Sequence, residues 1–203
     1  PIKDLIDDAA TLKNQLRDFL PDEVGLAEKR TAGIRDQLQR WWNDRLERTF
    51  AKPGAFVWNE MKENAARISS NPASGVRLLF DLYRAKGKEY GLPKIRLHLV
   101  GHSAGCILHS HLGAAAIAAG FDLRSASLIA PAVRVDEFDR TLGKAVLKTG
   151  TKLLVAHLTD AAERADPTCK PYGHSLLYLV SRSFEGRKET PILGLGRDLG
   201  PAR

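Results

Sequence analysis

Cysteine is nearly absent from this chain, with two residues, Cys106 and Cys169, in 203. Two thiols without CxxC spacing are too few for a disulfide framework, and reduced, unpaired thiols are expected. No apolar run is long and clean enough to span a bilayer, so no transmembrane helix is expected. No secretory signal opens the chain, because PIKDLIDDAATLKNQL is amphipathic and acidic. The expected location is the cytoplasm, and a chain opening on Pro1 is expected to be cropped from a longer one. No block of Lys or Arg stands alone either. The 31 basic and 24 acidic residues give a net charge of +7, but the signs interleave, as in RLERTFAKPG and EGRKETP. That pattern describes a solvated basic surface and speaks against a nucleic-acid partner. Repeats and low-complexity segments are missing as well.

What is present is a 43% hydrophobic content, enough for a substantial core. The pattern changes near residue 93. Residues 1–92 read as a helical N-terminal region packing on the sheet formed by the rest of the chain. Ile2, Leu5, Ile6, Ala9, Leu12, Leu16 and Phe19 recur at helical spacing up to Pro21. Ile34, Leu38, Trp41, Trp42 and Leu46 predict a second helix whose aromatic stripe packs into a core. Trp58, Met61, Ala65 and Ile68 predict a shorter third. Asn71-Pro72 reads as the N-cap and first turn of a fourth, carrying Val76, Leu79, Phe80 and Tyr83.

Residues 93–203 alternate strand and helix. KIRLHLV, RSASLIA and TKLLVAHL predict strands, and TPILGL is a candidate fourth. The intervening SAGCILHSHLGAAAIAAG and DEFDRTLGKAVL, and the later SLLYLVSRSFEG, predict helices. Such alternation implies an α/β fold with a small parallel sheet.

Between the first of these strands and its helix lies GHSAG, residues 101–105. The pentapeptide alone is a weak signal. In a strand-to-helix turn it places Ser103 above the sheet and at a helix N-terminus, where negative charge is favoured. Gly101 and Gly105 supply the lack of bulk that so tight a turn needs, and His102 occupies its variable position. The Ala104 N–H is then the donor available to a developing oxyanion.

With these residues the chain resembles the α/β-hydrolase superfamily, over about residues 93–185. The resemblance implies a serine hydrolase whose chain order is serine, acid, histidine. It identifies Ser103 as nucleophile, Asp160 in TD after the third strand as the acid, and His174 in KPYGHSLLYLV as the base. Glu163, Asp166 and Asp136 are rival acids. The short interval from acid to histidine is similar to that of compact cutinase-like esterases, whose disulfides are not evident here. The implied substrate is a small acyl ester, with thioesters and amides open to the same chemistry, and no cofactor is implied. No metal site is expected either, since His98 and His157 fall in strands and His109 and His111 point to different faces of a helix.

A full hydrolase of this superfamily has earlier strands, and a loop after one of them gives the second oxyanion N–H. In residues 1–92 only GAFVW could serve as a strand. The domain is therefore expected to be part of a larger one, with upstream strands as partner and a half-built oxyanion hole. The competing function is a non-catalytic interaction module on an incomplete hydrolase scaffold. A basic nucleic-acid-binding domain is the third and weakest.

Overall fold

The computed structural model describes residues 27–199, so the amphipathic stretch Ile2–Phe19 lies outside the described residues. Helix α1 (Ala27–Ser70) fuses the second and third expected helices into one of 44 residues, with Pro53 inside it. An interior proline removes one N–H and crowds the preceding turn, at a cost of about 3 kcal/mol. Burial on both sides of Pro53 outweighs that. Leu46 is buried in one core with Phe50 packed against it, and Ala65 in another with Met61 against it, while Trp58 packs on both. GAFVW lies within α1, where Phe56 and Val57 face solvent, so it is no strand. The Trp41–Trp42 stripe also splits. Trp42 packs on a core, whereas Trp41 is 53% exposed beneath the guanidinium of Arg45.

Helix α2 (Gly75–Glu89) starts later than Asn71-Pro72 suggested. Asn71 Oδ1 accepts from the Ala73 N–H in a turn, and Ser74 Oγ is the cap, accepting from Arg77 N. Serine at this position satisfies a donor of the first turn.

Strands β1 (Arg96–His102), β2 (Asp122–Ile129) and β3 (Lys152–Ala156) form one parallel sheet in the order β1-β2-β3. Helix α3 (Gly105–Ala118) crosses from β1 to β2. The crossover to β3 is α4 (Val135–Phe138), a π turn (Asp139–Gly143) and α5 (Lys144–Thr149). After β3 come α6 (Asp160–Ala165) and α7 (Leu176–Leu179), the latter continuing through a π turn (Val180–Phe184). TPILGL does not add a strand. Its Leu193 and Gly194 N–H groups donate to Val133 and Pro131 carbonyls in the loop after β2, leaving only isolated bridges to Arg134 and Leu158.

The small residues of α3 let it lie close to the sheet. A Cβ on Gly113 would come within 2.8 Å of Leu142 and 3.0 Å of Leu99. Leu99, Ile107, Ala126, Leu128 and Leu142 form the core between sheet and helices. The opposite face is bare among the described residues, with Val100 66%, Leu154 58% and Ile129 43% exposed. Parallel sheets are ordinarily covered on both faces. No helix of the described residues is long and apolar enough to cross a membrane.

Candidate active site

The three residues singled out in the sequence all follow the C-terminal ends of strands. Ser103 comes directly after β1, Asp160 opens α6 beyond β3, and His174 precedes α7. Loops at this end of a parallel sheet are where ligands of open α/β folds bind.

Ser103 has φ +51°, a left-handed conformation that costs a serine of order 1–3 kcal/mol and persists only under external constraint. The constraint is main-chain bonding. Ser103 N–H donates to Ile129 O at 2.9 Å, and Ser103 O accepts from the N–H groups of Cys106 and Ala132. Behind the turn the strand meets the helix closely. A Cβ on Gly101 would lie 2.5 Å from the His109 ring and 3.2 Å from Cys106 Sγ. Gly101 thus supplies the lack of bulk the turn needs. Gly105 does not, since a Cβ there meets nothing within 4 Å. The Ser103 hydroxyl and the Ala104 N–H have no hydrogen-bond partner among the described residues. Cys106 is fully buried beneath this turn, and burial pushes its thiol up to about 11. Both cysteines are free thiols.

Ala130, at the matching end of β2, also has a positive φ of 44°. Its N–H donates to Ala156 O at 2.7 Å, so main-chain bonds tie together the three strand ends.

His174 sits between two tyrosines. Tyr172 meets its ring edge-on at 5.5 Å and Tyr178 lies 5.0 Å away. Its Nδ1 is 3.0 Å from the carbonyl oxygen of Arg164. A carbonyl can only accept, so Nδ1 is the donor, and in the neutral form of the ring Nε2 presents the lone pair. Asp160 shares both neighbours without a hydrogen bond to the imidazole among the described residues. Its Oδ1 accepts from the Tyr178 hydroxyl and its Oδ2 from Arg164 Nε at 2.8 Å. The Tyr178 hydrogen bond, and then Arg164, hold the Asp160 carboxyl below the usual range.

The other acids are engaged elsewhere. Asp166 caps Thr168, and Asp136 pairs with Arg134. Glu163 is 2% exposed, and burial raises its pKa against the opposing hydrogen bond from Ser175. No hydrogen bond joins Ser103 to His174 or Asp160 among the described residues. The structure brings Asp160 and His174 onto the same pair of residues, and places Ser103 two strands away.

No family model, curated protein or solved structure matches this chain.

Sequence reasoning passed over Arg164 and Tyr178. Each lies four residues after a chosen one, Asp160 and His174, and that spacing is the signal that could have found them. It also passed over Asn43 and Glu47 in α1. Asn43 Oδ1 accepts from Gly173 N–H at 3.0 Å, and Glu47 Oε1 accepts from the Tyr172 hydroxyl at 2.9 Å. Two polar residues four apart, each adjoining the apolar stripe at Trp42 and Leu46, were the available clue.

Proposed function

We propose that this chain carries the catalytic part of a serine hydrolase acting on small acyl esters. The observation that carries the reading is Ser103, a non-glycine residue at φ +51° where a strand meets a helix N-terminus. Strain of this kind clusters at functional positions.

In the proposed reaction Ser103 Oγ attacks the acyl carbonyl carbon while its proton passes to His174 Nε2. The Ala104 N–H stabilises the tetrahedral oxyanion. Collapse expels the alkoxide, which takes the proton from His174 and leaves Ser103 acylated. Water then repeats the sequence, releasing the acid and restoring the serine. The Arg164 carbonyl fixes the tautomer that an aspartate holds in many triads, and Asp160 contributes negative charge beside the imidazolium. Residues 54–58, inside α1, have their N–H groups within a helix and are not the second oxyanion donor. A strand upstream of the described residues, pairing on the side of β1 that is open among them, is the proposed source.

The test is labelling with a fluorophosphonate probe. Adduct at Ser103, absent from Ser103→Ala, is the expected result. Labelling that persists in the alanine variant removes Ser103 from the role. A second reading, the non-catalytic interaction module, is favoured by the pairing of Asp160 with Tyr178 and Arg164 in place of His174. Complete failure of labelling in a folded chain would select it.

A further inference from the structure

We infer that helix α1 is the positioning element of the histidine, acting through one face made of Gln39, Asn43 and Glu47. This rests on His174 being the base of the proposed hydrolase. These three residues are spaced by four, so they share a face of α1. Asn43 and Glu47 are each only 4% exposed. Together they hold the two residues that precede His174. Asn43 Oδ1 accepts from Gly173 N–H at 3.0 Å and is itself held by Gln39 Nε2 at 2.9 Å. Gln39 lies so close over Gly173 that a Cβ there would come within 2.5 Å of its amide nitrogen. Glu47 Oε1 takes the Tyr172 hydroxyl at 2.9 Å and Arg182 Nε at 2.6 Å, while Lys188 Nζ stands 3.4 Å from Oε2.

Tyr172 passes this anchorage to the catalytic ring by its edge-on contact with His174. With Tyr178 beside the ring and the Arg164 carbonyl on Nδ1, Nε2 is the one nitrogen left available. Burying a carboxylate is costly unless charges and donors surround it. Glu47 has such donors at Oε1, while Oε2 has no hydrogen-bond partner and faces the Lys188 charge at 3.4 Å; what the Oε1 bonds fix in place is the loop carrying the base. A base misplaced by about 1 Å loses on the order of a hundredfold in rate. Asn43 and Glu47 are therefore positioning residues, touching neither substrate nor the reacting atoms.

The experiment uses the full 203-residue chain, with Asn43→Leu to remove the acceptor and Asn43→Asp to keep it. Three quantities are measured: p-nitrophenyl butyrate kinetics, the His174 tautomer by ¹⁵N NMR, and thermal unfolding. In Asn43→Leu, kcat should fall about ten- to a hundredfold with KM unchanged, and the Nδ1–H tautomer should lose population. Asn43→Asp should restore both. Trp58→Phe, which removes an α1 hydrogen bond to Glu185, should alter unfolding alone. If Asn43→Leu does not fold, Tyr172→Phe, which keeps the ring and removes the donor to Glu47, should show the same pattern more weakly. An unchanged tautomer in the folded acceptor-less variant, or an equal loss of kcat in Trp58→Phe, overturns the inference. A chain without esterase activity whose tautomer still responds to Asn43→Leu would sink the hydrolase reading and leave the positioning role standing.

Discussion

The serine turn and the histidine loop sit at the same end of one sheet and are built by opposite means. The serine turn is made almost wholly of backbone: a positive φ, a glycine where strand meets helix, and N–H bonds to neighbouring strand ends. The histidine loop is made of side chains drawn from far away. Tyr172 and Gly173 are held by partners 125 and 130 residues distant in the sequence. A site whose halves are stabilised so differently should fail in different ways when each half is disturbed.

The largest expected effect besides loss of the proposed nucleophile, Ser103, is at Asp160. Asp160→Asn should lower turnover about tenfold to a hundredfold, measured as kcat/KM on an activated ester. A triad whose aspartate alone fixes the tautomer loses about ten-thousandfold, whereas here a carbonyl occupies Nδ1. A loss of that larger size would show that Asp160 reaches the imidazole during turnover. The same variant carries a pH signature. The native carboxyl is held below its unfolded value of about 3.9. Its stabilisation is therefore full above that value and lost as pH falls through the lower native one. Asp160→Asn should flatten that part of the acid unfolding curve.

Next in size is Gly101→Ala. The new methyl meets the His109 ring and Cys106, and overpacking of this kind destabilises by about 1–3 kcal/mol. Denaturant unfolding should show the loss. Labelling of the residual folded protein should fall too, because the turn and the serine move together. Wild-type stability would mean that α3 gives way freely.

The smallest effect has the opposite sign. Ser103→Gly should abolish labelling yet raise stability by about 1 kcal/mol, since glycine accepts φ +51° without strain. Ser103→Ala should abolish labelling with little change in stability. Equal stability for the two variants would mean that the serine is not strained.

The same contrast governs what could be read from the residues. The strand–GHSAG–helix order and the parallel α/β alternation are local patterns, and β1, β2, β3 and α3 fall within a few residues of where periodicity put them. In the expected helix DEFDRTLGKAVL, Phe138, Leu142 and Val146 are buried and Ala145 is half-buried. The failures involve contacts remote in sequence. The second and third expected helices are one helix, α1, because nothing nearby in the chain reveals the two cores that hold it on either side of Pro53. TPILGL has the composition of a strand, but the loop after β2 claims its N–H groups. Asp160 was legible as an acid near the histidine, while its engagement with Tyr178 was not. That contact depends on how α6 and α7 meet.

Cys106 gives the serine turn a clock. Its sulfur is buried under the turn, and the pKa of about 11 leaves almost no thiolate at neutral pH. Short of global unfolding, a thiol reagent reaches it when the start of α3 lifts from β1. The rate of that reaction is then the intrinsic thiol rate multiplied by the fraction of time the turn stands open. Modification kinetics at one sulfur thereby measure the opening free energy of the segment that carries Ser103, apart from the stability of the molecule as a whole.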